Sequence, residues 1–195
     1  MDPRTRATDL PKRLMERIRG SRDWTEIEHF SQDWRLRIAH MAALLDGDDL
    51  SVLDLGCGDS WLLEYLPDGV RYYGCDYVSR AHTDFICDFC AKQFPPPSFR
   101  VDAMFASGVL EYVKDPSWFI SQMCSGAKRK VLVSYVTLAG LPDRSRRRRL
   151  GWKNHLTRDG LVKTFDSHDF SLVSLDEGIC GNNDVFIFKR NYLAG

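Results

Sequence analysis

Long apolar runs are missing from this 195-residue chain, and none approaches the roughly 18 residues that a membrane-spanning helix needs. Net charge is missing as well. Lysine plus arginine and aspartate plus glutamate number 27 each, so no global field draws the chain toward nucleic acid or an acidic membrane. The N-terminal Met-Asp-Pro-Arg-Thr-Arg lacks the apolar core of a secretory signal. Internal repeats are absent, and the low-complexity stretch is confined to Arg144 through Arg149. The cysteines at 57, 75, 87, 90, 124 and 180 form no disulfide framework. They mostly sit in or beside apolar strand-like segments, as reduced cysteines do, and predict a cytoplasmic protein. Cys87-x-x-Cys90 lacks a second pair, so neither zinc nor redox chemistry is expected, and no metal site is assigned.

What is present is an ordinary globular composition, with arginine concentrated in residues 1–22 and again at 144–149. Residues 9–45 carry helical spacing. Leu10, Leu14 and Ile18 mark one segment, and Trp34, Ile38, Met41, Ala42 and Leu45 mark another. Residues 1–46 therefore read as a helical extension and 47–195 as an α/β domain, together one compact unit. From residue 51 strand and helix patterns alternate. Strands are predicted at 51–55, 71–75, 84–87, 101–106, 130–136, 171–176 and 184–189, and helices at 60–66, 116–124 and 157–166. Such alternation implies right-handed crossovers and a mainly parallel sheet between helical layers. The last two strands are joined too closely for a helix and predict an antiparallel hairpin at the sheet edge.

The chemistry concentrates in Val52-Leu53-Asp54-Leu55-Gly56-Cys57-Gly58-Asp59. A β-forming run ends in a Gly-x-Gly turn that opens onto an apolar segment, an order that lets main chain approach a nucleotide-like ligand. Asp76 follows about 20 residues later, at the end of the second strand, where a carboxylate accepts from ribose hydroxyls. The other reading of Asp76 is a turn residue after a strand, and the glycine loop before it favours the ribose role. A dinucleotide fingerprint requires a small residue at position 61. Trp61 stands there, which disfavours a nicotinamide oxidoreductase and favours a nucleoside without pyrophosphate.

Val52 to Gly58 resembles motif I of the class I S-adenosylmethionine-dependent methyltransferases. Asp76, Asp88-Phe89, the segment Asp102 to Pro116, Lys130 to Val136 and Trp152 to Thr157 resemble later landmarks of that family, in order, across about residues 50–190. The departure is Ser60, where many members carry a third glycine. The resemblance implies a Rossmann-like three-layer sandwich with a mostly parallel seven-stranded sheet and one antiparallel strand near its edge, preceded by N-terminal helices. It also implies S-adenosyl-L-methionine as cofactor. Gly56, Cys57 and Gly58 would lie along its methionine part, and Asp54 would orient the loop and the cofactor's amino group. Asp76 with Tyr77 would serve the ribose, Asp88 and Phe89 the adenine, and Ser107 would lie near the sulfonium.

The implied function is in-line methyl transfer to a small-molecule or saccharide-like acceptor, with oxygen as the favoured atom. The alternative is a non-catalytic S-adenosylmethionine-binding module acting through a protein partner. In this family the loop after the fifth strand faces the acceptor, which makes His155 the candidate base and Tyr112 a candidate orienting group; a capping or packing role is the other reading of His155, and a half-buried aromatic after the fourth strand that of Tyr112. Trp34 either closes over the pocket or fills the core. The arginine run either meets an anionic acceptor or is a solvated loop. Nucleic acid is disfavoured, because Ser107-Gly108-Val109-Leu110 stands where base N-methyltransferases carry Asn/Asp-Pro-Pro-aromatic.

Overall fold

Residues alternate across the first strand, β1 (Ser51–Leu55), and that alternation sets the two faces of the sheet. Val52 packs with Met41, Leu62 and Phe105 on one side, and Leu53 and Leu55 pack with Met104, Phe119 and Phe165 on the other. The computed structural model describes residues 31–192; the predicted helix with Leu10, Leu14 and Ile18 lies outside them. The remaining strands are β2 (Arg71–Asp76), β3 (Phe85–Ile86), β4 (Val101–Ser107), β5 (Ala127–Tyr135), β6 (Phe170–Ile179) and β7 (Asn183–Arg190). They form one seven-stranded sheet in the order β3-β2-β1-β4-β5-β7-β6. Only β7 runs against its neighbours, pairing antiparallel with both β5 and β6, while the other pairings are parallel.

Helix α1 (Gln32–Ala42), with Ser31 as its N-cap, lies on the Val52 face together with a 3-10 turn at Trp61–Glu64. Helix α2 (Pro116–Gly126) starts at Asp115, which accepts from the Trp118 N–H at 3.1 Å, with proline in its first turn. The arginine run forms a short helix, α3 (Arg144–Arg149), and α4 (Arg158–Asp166) follows with Thr157 as the expected N-cap. Both α2 and α4 cover the Leu53 face, so the sheet has a helical layer on each side. Among the described residues no helix is long and apolar enough to cross a membrane.

Two predicted elements differ. The helix at 60–66 is only the four-residue 3-10 turn, because Ser60 enters it in left-handed backbone (φ 58°) and Pro67-Asp68-Gly69 ends the segment. The arginine run is helical rather than a loop. Asp143 caps it by accepting from the N–H groups of Ser145 and Arg146 at 2.8 and 3.0 Å, and arginine itself is a good helix former.

Three contacts hold α1 in place, one to β6 and two to the 3-10 turn. His40 Nε2 lies 2.8 Å from Asp176 Oδ2, Arg35 pairs with Glu64 at 2.9 Å, and the Arg35 guanidinium stacks on Trp61. Behind it, the buried Lys130 ammonium on β5 donates to Asp46 at 2.8 Å and to Asp49 at 2.5 Å. That staples the turn between α1 and β1 to the sheet.

Candidate functional site

Strand order reverses between β1 and β4, so the loops after their carboxyl ends part there and leave a crevice. A cavity of about 500 Å³ opens at that point. Gly56, Cys57, Gly58, Asp76, Tyr77, Asp88, Phe89, Ser107 and Tyr112 all line it. Asp54 and His155 do not.

The glycine loop is held by main chain and by one carboxylate. The N–H groups of Gly56 and Cys57 both donate to the Cys75 carbonyl, at 2.7 and 3.1 Å, and the Gly58 N–H donates to Asp76 Oδ2 at 2.8 Å. Asp76 Oδ1 accepts from Val78 N–H at 3.2 Å and lies 3.8 Å from Arg80. A Cβ at Gly56 would meet Val109 Cγ2 at 2.4 Å, and the residue has φ +70°, so only glycine keeps this wall of the cavity in place. The Cys57 thiol is pushed up to about 12 by burial and by the charges of Asp54 and Asp76, so it stays a neutral, unreactive part of the wall.

Asp54 sits beneath the loop, 5% exposed, and accepts from the Tyr72 hydroxyl at 3.2 Å. Burial pushes its carboxyl up to about 7. The loop's own N–H groups go to Cys75 and Asp76, so these, and not Asp54, orient it directly. At the far end of the cavity Asp88 accepts from Cys90 and Ala91 N–H and caps a turn, while Phe89 packs on Phe119 with centroids 4.7 Å apart. Cys90 donates its thiol to the Tyr112 carbonyl at 3.2 Å, and among the described residues no group of three metal-ligating side chains is placed to hold an ion.

The opposite wall holds residues that sequence reasoning overlooked. Arg37 of α1 and Glu111 line it beside Ser107, with Ile38, Val109, Val136, Leu150 and Trp152; Trp34, read ambiguously from the sequence, lines the cavity too. Arg37 Nε donates to Ser107 Oγ at 2.9 Å. Glu111 is 2% exposed; its Oε1 accepts from Val136 N–H at 2.9 Å, and burial raises its pKa. Helical spacing was the available signal for Arg37, which shares the inward face with Trp34 three residues before it and Met41 four residues after it.

His155 lies behind this wall. Its Nδ1 accepts from Arg147 Nε at 3.1 Å, and burial together with the Arg147, Arg144 and Arg148 charges lowers its pKa. A neutral imidazole whose Nδ1 lone pair is so engaged carries its proton on Nε2 and has no nitrogen left to act as a base. Arg147 itself is fully buried, donating to Thr137 O, Leu141 O and the Tyr135 hydroxyl and stacking on Trp152. Arg144, Arg146, Arg148 and Arg149 are exposed.

The sequence profile of the family described as "methyltransferase domain" matches residues 24–174. The chain belongs to that family. The match bears out the resemblance to the class I enzymes, and the methyltransferase also shares its fold with solved structures of low identity. A methyltransferase of Haloferax volcanii, solved in complex with the Trm112 methyltransferase activator, superposes with a TM-score of 0.67 at 12% identity, covering 84% of this chain and 92% of that one. Magnesium protoporphyrin IX methyltransferase from Synechocystis, solved with bound S-adenosylmethionine, gives 0.64 at 17% identity over 96% and 100% of the two chains. The 1,6-didemethyltoxoflavin N1-methyltransferase of Burkholderia thailandensis gives 0.62 at 14% identity over 98% of each. No curated protein matches the methyltransferase by sequence.

Proposed function

We propose that this methyltransferase uses S-adenosyl-L-methionine to methylate a small-molecule or saccharide-like acceptor, at oxygen. One observation carries the reading: a single cavity joins the glycine loop, Asp76 and Asp88-Phe89 to an aromatic wall of Trp34, Tyr112 and Trp152. The residues present fit the cofactor. Gly56 and Gly58 leave main chain bare for the methionine part, Asp76 offers a carboxylate to a ribose diol, and Asp88 with Phe89 offers an acceptor and a flat face to adenine. The cofactor supplies a methyl group on a sulfonium whose departure as a neutral thioether makes the transfer favourable. The protein's work is alignment and exclusion of water, worth several kcal/mol or more.

Tyr112, on the cavity wall, orients the acceptor. The flat faces of Trp34 and Trp152 suit a ring bearing hydroxyl groups, since such rings are apolar across and polar at the edge. The exposed arginines of α3 stand directly before Leu150 and Trp152, which supports an acceptor carrying negative charge. A second reading, a module that works through a protein partner, draws on the Haloferax methyltransferase bound to its activator.

Calorimetry with S-adenosylmethionine, S-adenosylhomocysteine and NAD tests the donor. Micromolar binding of both adenosyl ligands, no binding of NAD, and loss of binding in Asp76→Ala are expected. Absence of adenosyl binding in the wild-type chain would sink the assignment.

A further inference from the structure

His155 stands behind the cavity wall with its Nδ1 taken, so a proton leaving a hydroxyl acceptor needs another group to receive it. Two buried acids of the molecule differ in how their charge is met. Asp49 keeps one oxygen without a hydrogen bond, but the Lys130 ammonium sits on the other, and the pair lies outside the cavity. Glu111 lines the cavity and is 2% exposed. Its Oε1 accepts from the Val136 N–H at 2.9 Å, and among the described residues its Oε2 has no hydrogen-bond partner. A buried carboxylate oxygen left in this way costs stability, and such groups gather where chemistry uses them.

The carboxylate is also held still. Glu111 sits in the 3-10 turn Leu110–Tyr112, which follows closely on β4. Asn154 donates from its amide group to the Leu110 and Val113 carbonyls at 2.6 and 2.9 Å, clasping that turn at both ends. The Glu111 carbonyl accepts from the Lys153 N–H at 2.7 Å, while Val136, just past β5, fixes the side chain. Main chain and side chain are therefore anchored to different segments, and Oε2 stays in one place without reorganisation. Ser107, Tyr112 and Trp152 line the same cavity, as does the glycine loop. Burial raises the Glu111 pKa and the Arg37 charge draws it back, which leaves a stronger base than an exposed carboxylate.

We propose that Glu111 is the base of the transfer, receiving the proton of an acceptor hydroxyl on Oε2. The proposal rests on the reading of an oxygen acceptor given above. The acceptor oxygen bonds to the methyl carbon as the carbon–sulfur bond breaks, and that bond's electron pair leaves with sulfur. The hydroxyl proton passes to Glu111, so a methyl ether, a neutral thioether and a protonated carboxyl result, and the proton then returns to solvent. Thermal-shift titrations on the full chain, with S-adenosylhomocysteine bound, compare hydroxylated rings with their matched ring ketones. A ketone keeps an oxygen in the same place and has no proton to give.

The wild type should favour alcohol over ketone about tenfold or more, because a ketone leaves the carboxylate oxygen facing another lone pair. Glu111→Gln keeps a carbonyl for the Val136 N–H and turns an amide N–H toward the cavity. That group donates to alcohol and ketone alike, so the preference should vanish while S-adenosylhomocysteine affinity and the circular dichroism spectrum stay native. Glu111→Asp, which retains a carboxylate, should keep part of the preference. For an alcohol that the wild type methylates, Glu111→Gln should lower kcat about 10²-fold or more. An alcohol preference or a kcat retained in Glu111→Gln overturns the proposal and leaves the oxygen reading standing. A wild type indifferent between alcohol and ketone overturns both. Absence of S-adenosylhomocysteine binding to the wild type overturns the donor reading, and the proposal with it.

Discussion

The glycine-loop wall of the cavity is held mostly by main chain, whereas the opposite wall is built from side chains drawn from distant segments. On the first, Gly56, Cys57 and Gly58 are pinned by the Cys75 carbonyl and by Asp76, all from adjacent strand ends. On the second, α1, the turn after β4, and the segment around Leu150 and Trp152 converge, with Arg37 and Glu111 buried among aromatic groups. A wall of main chain depends on local backbone geometry. A wall of side chains depends on long-range supports, and it should fail by losing them.

The strongest way to break the contrast is to remove the support beneath the second wall. Arg147→Met strands the Leu141 carbonyl, leaves the Thr137 carbonyl with only the Leu141 N–H, and removes the group stacked on Trp152. A loss of about 3–5 kcal/mol in urea unfolding is expected, as for other buried charged groups deleted with their partners left behind. Arg147→Lys should recover only part of it, since an ammonium cannot satisfy the same fork of acceptors. A loss under about 1 kcal/mol would show that the second wall does not hang on this residue.

The support beneath the glycine loop offers a contrast driven by pH. Asp54 binds its proton more tightly when folded than unfolded, with its carboxyl moved from 3.8 up to about 7 by burial. Its contribution to stability is therefore complete below about pH 4 and is lost as pH rises through 7. Between pH 5 and 8 that amounts to about 2–3 kcal/mol for a shift of this size. Asp54→Asn, which still accepts from Tyr72, should flatten the fall measured by unfolding at the two pH values. A wild-type chain equally stable at pH 5 and 8 would contradict the raised carboxyl.

The same division explains what could be read from the chain beforehand. Gly56, Gly58 and Asp76 lie at strand ends whose spacing the parallel alternation dictates, so short-range pattern pointed to them, whereas Asp88 came from the family resemblance. The antiparallel hairpin of the last two strands followed from the brevity of their connection, and the seven-stranded sheet with one reversed strand was what the family resemblance implied. Arg37 could not be found that way, because its meaning depends on Ser107 and Gly108, some 70 residues later. His155 failed to reach the cavity for a related reason: Arg147, inside a run that reads as solvated, turns inward and takes its Nδ1. Only the packing of α3 against β5 decides which arginine in the run is buried.

The smallest expected stability effect belongs to the residue on which the donor wall turns. Gly56→Ala must hold an alanine at φ +70° and push back a Val109 methyl that its Cβ would otherwise meet at 2.4 Å. The backbone strain costs about 1–2 kcal/mol, and a displaced Val109 can intrude on the cavity it lines. A modest drop in melting temperature should therefore accompany a disproportionate loss of S-adenosylhomocysteine affinity. Pairing it with Val109→Ala separates the two causes, because the smaller neighbour relieves the clash and leaves the backbone strain. If affinity returns in the double variant while stability does not, access to the loop is what glycine protects here. If neither returns, the left-handed backbone at position 56 is itself the requirement, and the main-chain wall is as rigid as its hydrogen bonds to Cys75 imply.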